Sequence, residues 1–215
     1  RDGELIALRE SDEGRDHAKK VALFVDELLR ETGVQPDDLD AIAVGKGPGS
    51  YTGLRIGVSF AKGMCYALNI PLIAVGSLDA LTEVAREDYD AGILDIEDNE
   101  WENAYLCPMV DARRMEVYTA VFENGVQITE TSPMIIDETS FAEYLEQGPC
   151  LFIGDGAGKC ADVIKHPNAQ FCQCWPKASA MLAPALEVYR SGRLEDVAYF
   201  EPFYLKEFQI TTSKK

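Results

Sequence analysis

The chain has 215 residues, 47% of them hydrophobic and 27% charged, the make-up of a globular protein with length for one domain or two small lobes. No apolar run approaches the roughly 20 residues that span a bilayer. With 37 acidic and 20 basic residues the net charge is −17, a field that repels phosphate backbones and argues against this chain gripping nucleic acid alone.

In chain order, Asp2-Gly3 predicts a tight turn, with residues 4–8 leaving it as a strand. Val21, Ala22, Phe24, Val25, Leu28 and Leu29 recur at helical spacing and predict a first helix over residues 17–32, closed by Gly33. Pro36-Asp37-Asp38-Leu39 reads as a short turn. The apolar run 41–44 predicts a strand buried on both faces, followed by a glycine loop over 45–53. A second helix over 53–68 is stopped by Asn69-Ile70-Pro71, and residues 72–75 form another buried strand. Strand, helix, strand implies a right-handed parallel crossover. Ser77 caps a predicted helix over 78–86. Residues 87–102 carry eight acids and no Lys or Arg, predicting a solvated loop between lobes.

The second half repeats this grammar. Strands at 105–111, 116–122 and 126–130, joined by turns at Arg113-Arg114 and Asn124-Gly125, predict a three-stranded meander. A helix over 140–147, a strand over 150–153 and the loop Gly154-Asp155-Gly156-Ala157-Gly158 echo the first helix, the strand 41–44 and the loop 45–53. Two lobes of common shape are expected, residues 1–102 and 103–215, with the last segment returning to the first lobe. On that alignment the first lobe lacks the two strands before its turn, so the numbered chain is expected to omit a natural N-terminus. A last helix spans 178–191 with Gly192 as its cap, residues 199–205 are aromatic and apolar, and the tail 211–215 is expected to fray.

The six cysteines, at 65, 107, 150, 160, 172 and 174, form no C-x-x-C pair and read as reduced thiols, which with the absence of a leader suggests the cytoplasm. Cys172-Gln173-Cys174 has no nearby histidine and reads as incidental rather than metal-binding. His17 and His166 cannot make an i, i+4 ligand pair, no metal site is expected, and neither Ser50 nor Ser77 sits in a nucleophile elbow.

The loop Gly45-Lys46-Gly47-Pro48-Gly49-Ser50-Tyr51-Thr52-Gly53-Leu54-Arg55 lies between a buried strand and a helix start, where free N–H groups favour an anion. Its spacing matches neither common nucleotide fingerprint. The competing reading is a tight loop whose glycines let the second helix pack closely on the sheet. Gly154 and Gly156, in a loop one residue short of a phosphate-binding pattern, are weaker candidates to face a nucleotide. Asp111 either orients a metal or phosphate or pairs with Arg113 and Arg114. The second helix is apolar around its whole circumference, which requires burial or a partner. The expected partner face comprises Val21, Phe24 and Leu28 of the first helix with Ile56, Phe60, Gly63 and Met64 of the second.

Residues 39–57, with Ala61-Lys62-Gly63, Asn69-Ile70-Pro71-Leu72-Ile73 and the segment 110–118, closely resemble the TsaB (YeaZ) family of tRNA threonylcarbamoyladenosine biosynthesis. The G-x-G-P-G-S-[FY]-T-G-L-R-I-G pattern is long and specific: Gly45, Gly47, Pro48, Gly49, Ser50, Thr52, Gly53 and Arg55 all fall within it. The resemblance implies an α/β protein of two duplicated ribonuclease-H-like lobes with the actin/Hsp70-like (ASKHA) fold, lacking its N-terminal strands in this chain. The family's catalytic relative, TsaD, carries an H-x-x-x-H metal motif where this chain has Ser77-Leu78-Asp79-Ala80-Leu81, which implies a non-catalytic subunit. The partners implied are a TsaD-like catalytic subunit, a TsaE-like ATPase, tRNA reached only through the complex, and a second copy when the chain is alone. No tightly bound cofactor is expected, with ATP used by the complex. The rival reading is a free-standing kinase or ATPase of the same fold, and a peptidase finds no support in the residues.

Overall fold

The computed structural model describes residues 1, 3–11 and 17–206; Asp2 of the expected turn and the expected frayed tail 211–215 lie outside them. In chain order the described elements are α1 (His17–Thr32), β1 (Ile42–Gly47), α2 (Tyr51–Leu68), β2 (Leu72–Gly76), α3 (Ser77–Asp90), α4 (Asp98–Glu102), β3 (Tyr105–Asp111), β4 (Glu116–Thr119), β5 (Phe122–Glu123), β6 (Val126–Gln127), β7 (Ser132–Ile135), α5 (Ala142–Leu145), β8 (Cys150–Ile153), α6 (Ala157–Cys160), β9 (Ala169–Cys172) and α7 (Leu182–Ser191).

In the first lobe β1 and β2 run parallel, Ile42 opposite Leu72 and Val44 opposite Ala74. β2 is buried along its whole length, as its continuous apolar run predicts, whereas β1, expected to be buried on both faces, is only partly covered and exposes Ala43, because among the described residues it is paired along one edge alone. Ala61 and Cys65 of α2 close over Leu72, Ile42 and Val44. On the other face Ile73 and Val75 meet Ala185 and Val188 of α7. α1 packs along α2.

In the second lobe β3 is the hub. It runs parallel to β8, which is parallel to β9, and antiparallel to β4 and β5 along its other edge. Met109, Val117, Phe152 and Ile164 fill one face. The other face is covered by α3, whose Leu81 and Val84 are wholly buried against Val110 and Ile153. α3 also touches β1 and β2, so it is shared between the lobes. Among the described residues no helix is long and apolar enough to cross a membrane.

Several expectations change. At the start Gly3 has φ +91 and the Glu4 N–H is bonded to the Arg1 carbonyl at 2.9 Å. Residues 4–8 form no strand, because no described segment offers them a ladder, and Leu5 and Ile6 are exposed. Residues 87–102 are not one solvated loop. α3 runs on to Asp90 and α4 forms, because Tyr89 stacks on Trp101 at 4.4 Å and Leu94 and Trp101 pack against the buried face of α3. Ser77 is the first helical residue, and Gly76 takes the cap position.

The meander has a fourth strand, β7, paired with β4 at an edge position that tolerates Pro133. The predicted strand 116–122 breaks between β4 and β5 while its register against β3 continues, Met109 opposite Thr119 and Leu106 opposite Phe122. The break lies opposite Pro108, which has no N–H for the ladder. Val121 instead gives its N–H to the Thr129 hydroxyl at 2.8 Å and accepts from Ile128 at 2.8 Å, so the predicted strand 126–130 shortens to β6. The helix expected over 140–147 shortens to α5, and β9 was not expected.

Candidate partner face and interlobe cleft

Helix α2 begins at Tyr51, two residues earlier than expected, because Ser50 caps it: its hydroxyl accepts the Gly53 N–H at 3.3 Å and its carbonyl the Leu54 N–H at 2.9 Å. Of the glycines in the preceding loop, Gly47 has a packing duty. At Gly47, φ is +100, and an added Cβ would lie 2.9 Å from a Leu54 methyl and 3.2 Å from the Phe203 carbonyl. At Gly57 a Cβ would sit 3.7 Å from a Val44 methyl, an ordinary contact, so the packing of α2 on β1 does not require a glycine there. Gly45 and Gly49 have open space around them. Thr52 is exposed at the first turn, and the Arg55 guanidinium lies over the Tyr51 ring at 5.5 Å and donates to its hydroxyl at 3.1 Å.

Val58, Ala61 and Cys65 of α2 are buried toward the sheet. On the opposite side, three and four residues apart, stand Ile56 and Phe60, half-buried, and Gly63, exposed. Met64 and, on α1, Val21, Phe24 and Leu28 are also half-buried. Flanking them, Leu23 is 51% and Tyr66 86% exposed, two apolar surfaces that periodicity alone does not single out.

The second feature is a cleft of about 520 Å³ between the lobes. Lys46, Gly47, Gly76 and Asp79 line it from the first lobe, and Gln127 and Thr131 from the second. Residues 199–204 wall the rest. Burial pushes the Asp79 carboxyl above the usual carboxylate range, a rise that Lys46 and the Gly76 N–H oppose and Glu187 reinforces.

Asp111 is tied to Lys159 by an ion pair and accepts the Arg113 N–H at 2.9 Å. The salt bridge is therefore made to α6 rather than to the side chains of Arg113 and Arg114. Those two residues are exposed at positive φ. The Lys159 ammonium also donates to the Glu116 carbonyl at 2.7 Å. Asp155 accepts the Asp111 N–H at 2.9 Å, and burial pushes its carboxyl upward. Gly154, at φ +124, and Gly156 are buried against β3, and the Gly156 N–H donates to the Met109 carbonyl at 3.0 Å. Their lack of a side chain is required by that approach.

Leu81, which the resemblance places where TsaD carries its second metal-binding histidine, is 0% exposed. Among the described residues no group of three or more His, Cys, Asp or Glu side chains is arranged to hold a metal. All six cysteines are free thiols, and all but the half-buried Cys172 are buried. Burial pushes Cys174 up to about 12.

The chain belongs to the family described as TsaD, tRNA N6-adenosine threonylcarbamoyltransferase, whose model matches residues 11–149. Within it, its place is among the TsaB (YeaZ) proteins. It is 28% identical over 200 residues to the tRNA threonylcarbamoyladenosine biosynthesis protein TsaB of Escherichia coli K12, covering 89% of this chain and 81% of that one. The Bacillus subtilis protein of the same name is 34% identical over 145 residues, 65% of this chain and 57% of its own. A solved Pseudomonas aeruginosa structure, described as similar to peptidase YEAZ, superposes with a TM-score of 0.71 at 27% identity, covering 89% and 85% of the two chains. The α/β architecture is thus the expected actin/Hsp70-like one.

Proposed function

We propose that this chain is a subunit in the formation of threonylcarbamoyladenosine beside the tRNA anticodon, acting without chemistry of its own as the partner of a TsaD-like catalytic subunit. The observation that carries the reading is the outer face of α2, where Ile56 and Phe60 flank exposed Gly63 on a helix already anchored to its sheet by Val58, Ala61 and Cys65. Such a face accommodates a closely packed second helix. Leu81, buried where the resemblance places a ligand of the catalyst, supports a non-catalytic role. The charge of −17 suits a subunit that reaches tRNA only through the complex. In this reading the complex consumes ATP with a TsaE-like ATPase, the chain pairs with a second copy through the same face when alone, and the compartment is the cytoplasm. No observation favours a free-standing kinase.

Titration of a TsaD-like subunit into the chain tests this. One-to-one binding is expected, and Phe60→Glu or Gly63→Glu should weaken it by about 3–5 kcal/mol, the cost of a buried unpaired charge. Unchanged binding by folded variants would move the interface elsewhere.

A further inference from the structure

After α7 the chain crosses the first lobe and reaches the second by Lys206. The Glu195 N–H donates to the Leu72 carbonyl at 3.0 Å, at the start of β2. The Lys62 ammonium, on α2, donates to the carbonyls of Ala198 at 3.1 Å and Phe200 at 2.8 Å. The Phe203 N–H donates to the Lys46 carbonyl at 2.8 Å, with the Phe203 carbonyl held against Gly47. Tyr204 meets the Tyr51 ring at 5.0 Å. Lys206 then forms an ion pair with Glu116 of β4 and lies over the Tyr118 ring at 5.7 Å.

We propose that residues 195–206 are a strap bracing the two lobes across the cleft, and that Lys62 is the positioning residue that seats it. The segment has no helix or strand of its own, so its path is set by these contacts. A lysine gives three donors from one flexible stem, and two of them here meet carbonyls that no ladder uses. The strap starts on β2 at Glu195, is held midway by the helix that carries Phe60 and Gly63, and reaches the second lobe at Lys206. The brace therefore holds the partner face in a fixed orientation to the second lobe and sets the width of the cleft, one wall of which is residues 199–204.

Hydrogen exchange of the isolated chain, read at the amides of Glu195 and Phe203, tests the brace without any partner, so its outcome is separate from that of the proposed function. Lys62→Met should speed exchange at Phe203 about tenfold, the effect of losing charge-assisted bonds. Lys62→Arg, which keeps donors and charge, should largely restore it. Lys206→Met should also speed Phe203, although its own contacts with Glu116 and Tyr118 are on the other lobe, while amides of β3 and β8 stay protected in every variant. If Lys206→Met left Phe203 unchanged, the segment would be a local patch on the first lobe and the brace would fall. If Lys62→Met changed nothing, Lys62 would not seat it.

Discussion

A methyl group added to Gly154 would stand 2.2 Å from the Met109 carbonyl oxygen. The loop after β8 is pressed onto β3 backbone to backbone, and its φ of +124 adds a conformational demand that a side chain meets poorly. Gly154→Ala should destabilise by about 3 kcal/mol or more. Gly156→Ala, whose Cβ would meet a Val117 methyl at 2.9 Å, should cost less. Gly158→Ala, facing only the movable end of Gln173, should stay within about 0.5 kcal/mol. Thermal unfolding of the three variants checks the order.

Leu81 gives a second prediction. Wholly buried between α3 and the second-lobe sheet, it should cost about 2–5 kcal/mol when cut to alanine. Denaturant unfolding of Leu81→Ala measures this, and a loss below about 1 kcal/mol would contradict the packing described.

Much of this was legible because it is local. Helix α1 ends where Gly33 ends its apolar stripe, and β3 and β8 are runs long and apolar enough to stand out. What escaped depends on distant partners. β9 carries Gln170 and β7 carries Pro133, so neither reads as a strand until β8 and β4 supply a ladder. Residues 4–8 fail in the opposite direction, having the composition of a strand with no described ladder to join. The outer face of α2 was readable from its apolar circumference. The hold of Lys62 on residues 198 and 200 was not, since it spans more than half the chain and ends on carbonyls, which every residue has.

The raised Asp79 carboxyl sets a pH dependence. Its proton is held more tightly in the folded chain than in the unfolded one, so its contribution to stability is greatest in acid and is lost as pH rises from the ordinary aspartate value through the raised one. Asp79→Asn should therefore raise the melting temperature at pH 7, with the advantage closing below about pH 4. A constant difference across that range would assign the effect to something other than ionisation.

Thiol accessibility follows from the burial pattern. Cys172 is half-buried and the other five cysteines are buried; burial raises Cys172 as well as Cys65, Cys107, Cys160 and Cys174, so access of the reagent sets the order. An aromatic disulfide reagent at pH 8 should modify Cys172 first in the native chain and all six after unfolding. Mass mapping of the first adduct decides it.

The central claim is that the chain contributes a partner face and no chemistry. It is tested most directly by threonylcarbamoyladenosine formation from tRNA, threonine, bicarbonate and ATP with the carbamoyl-adenylate synthase, a TsaD-like subunit and a TsaE-like ATPase. The account predicts product only when this chain is added, none from the chain alone, loss with Phe60→Glu in step with lost binding, and near-normal yield with Asp111→Ala. Equal product without the chain, or activity of the isolated chain abolished by Asp111→Ala, would contradict it.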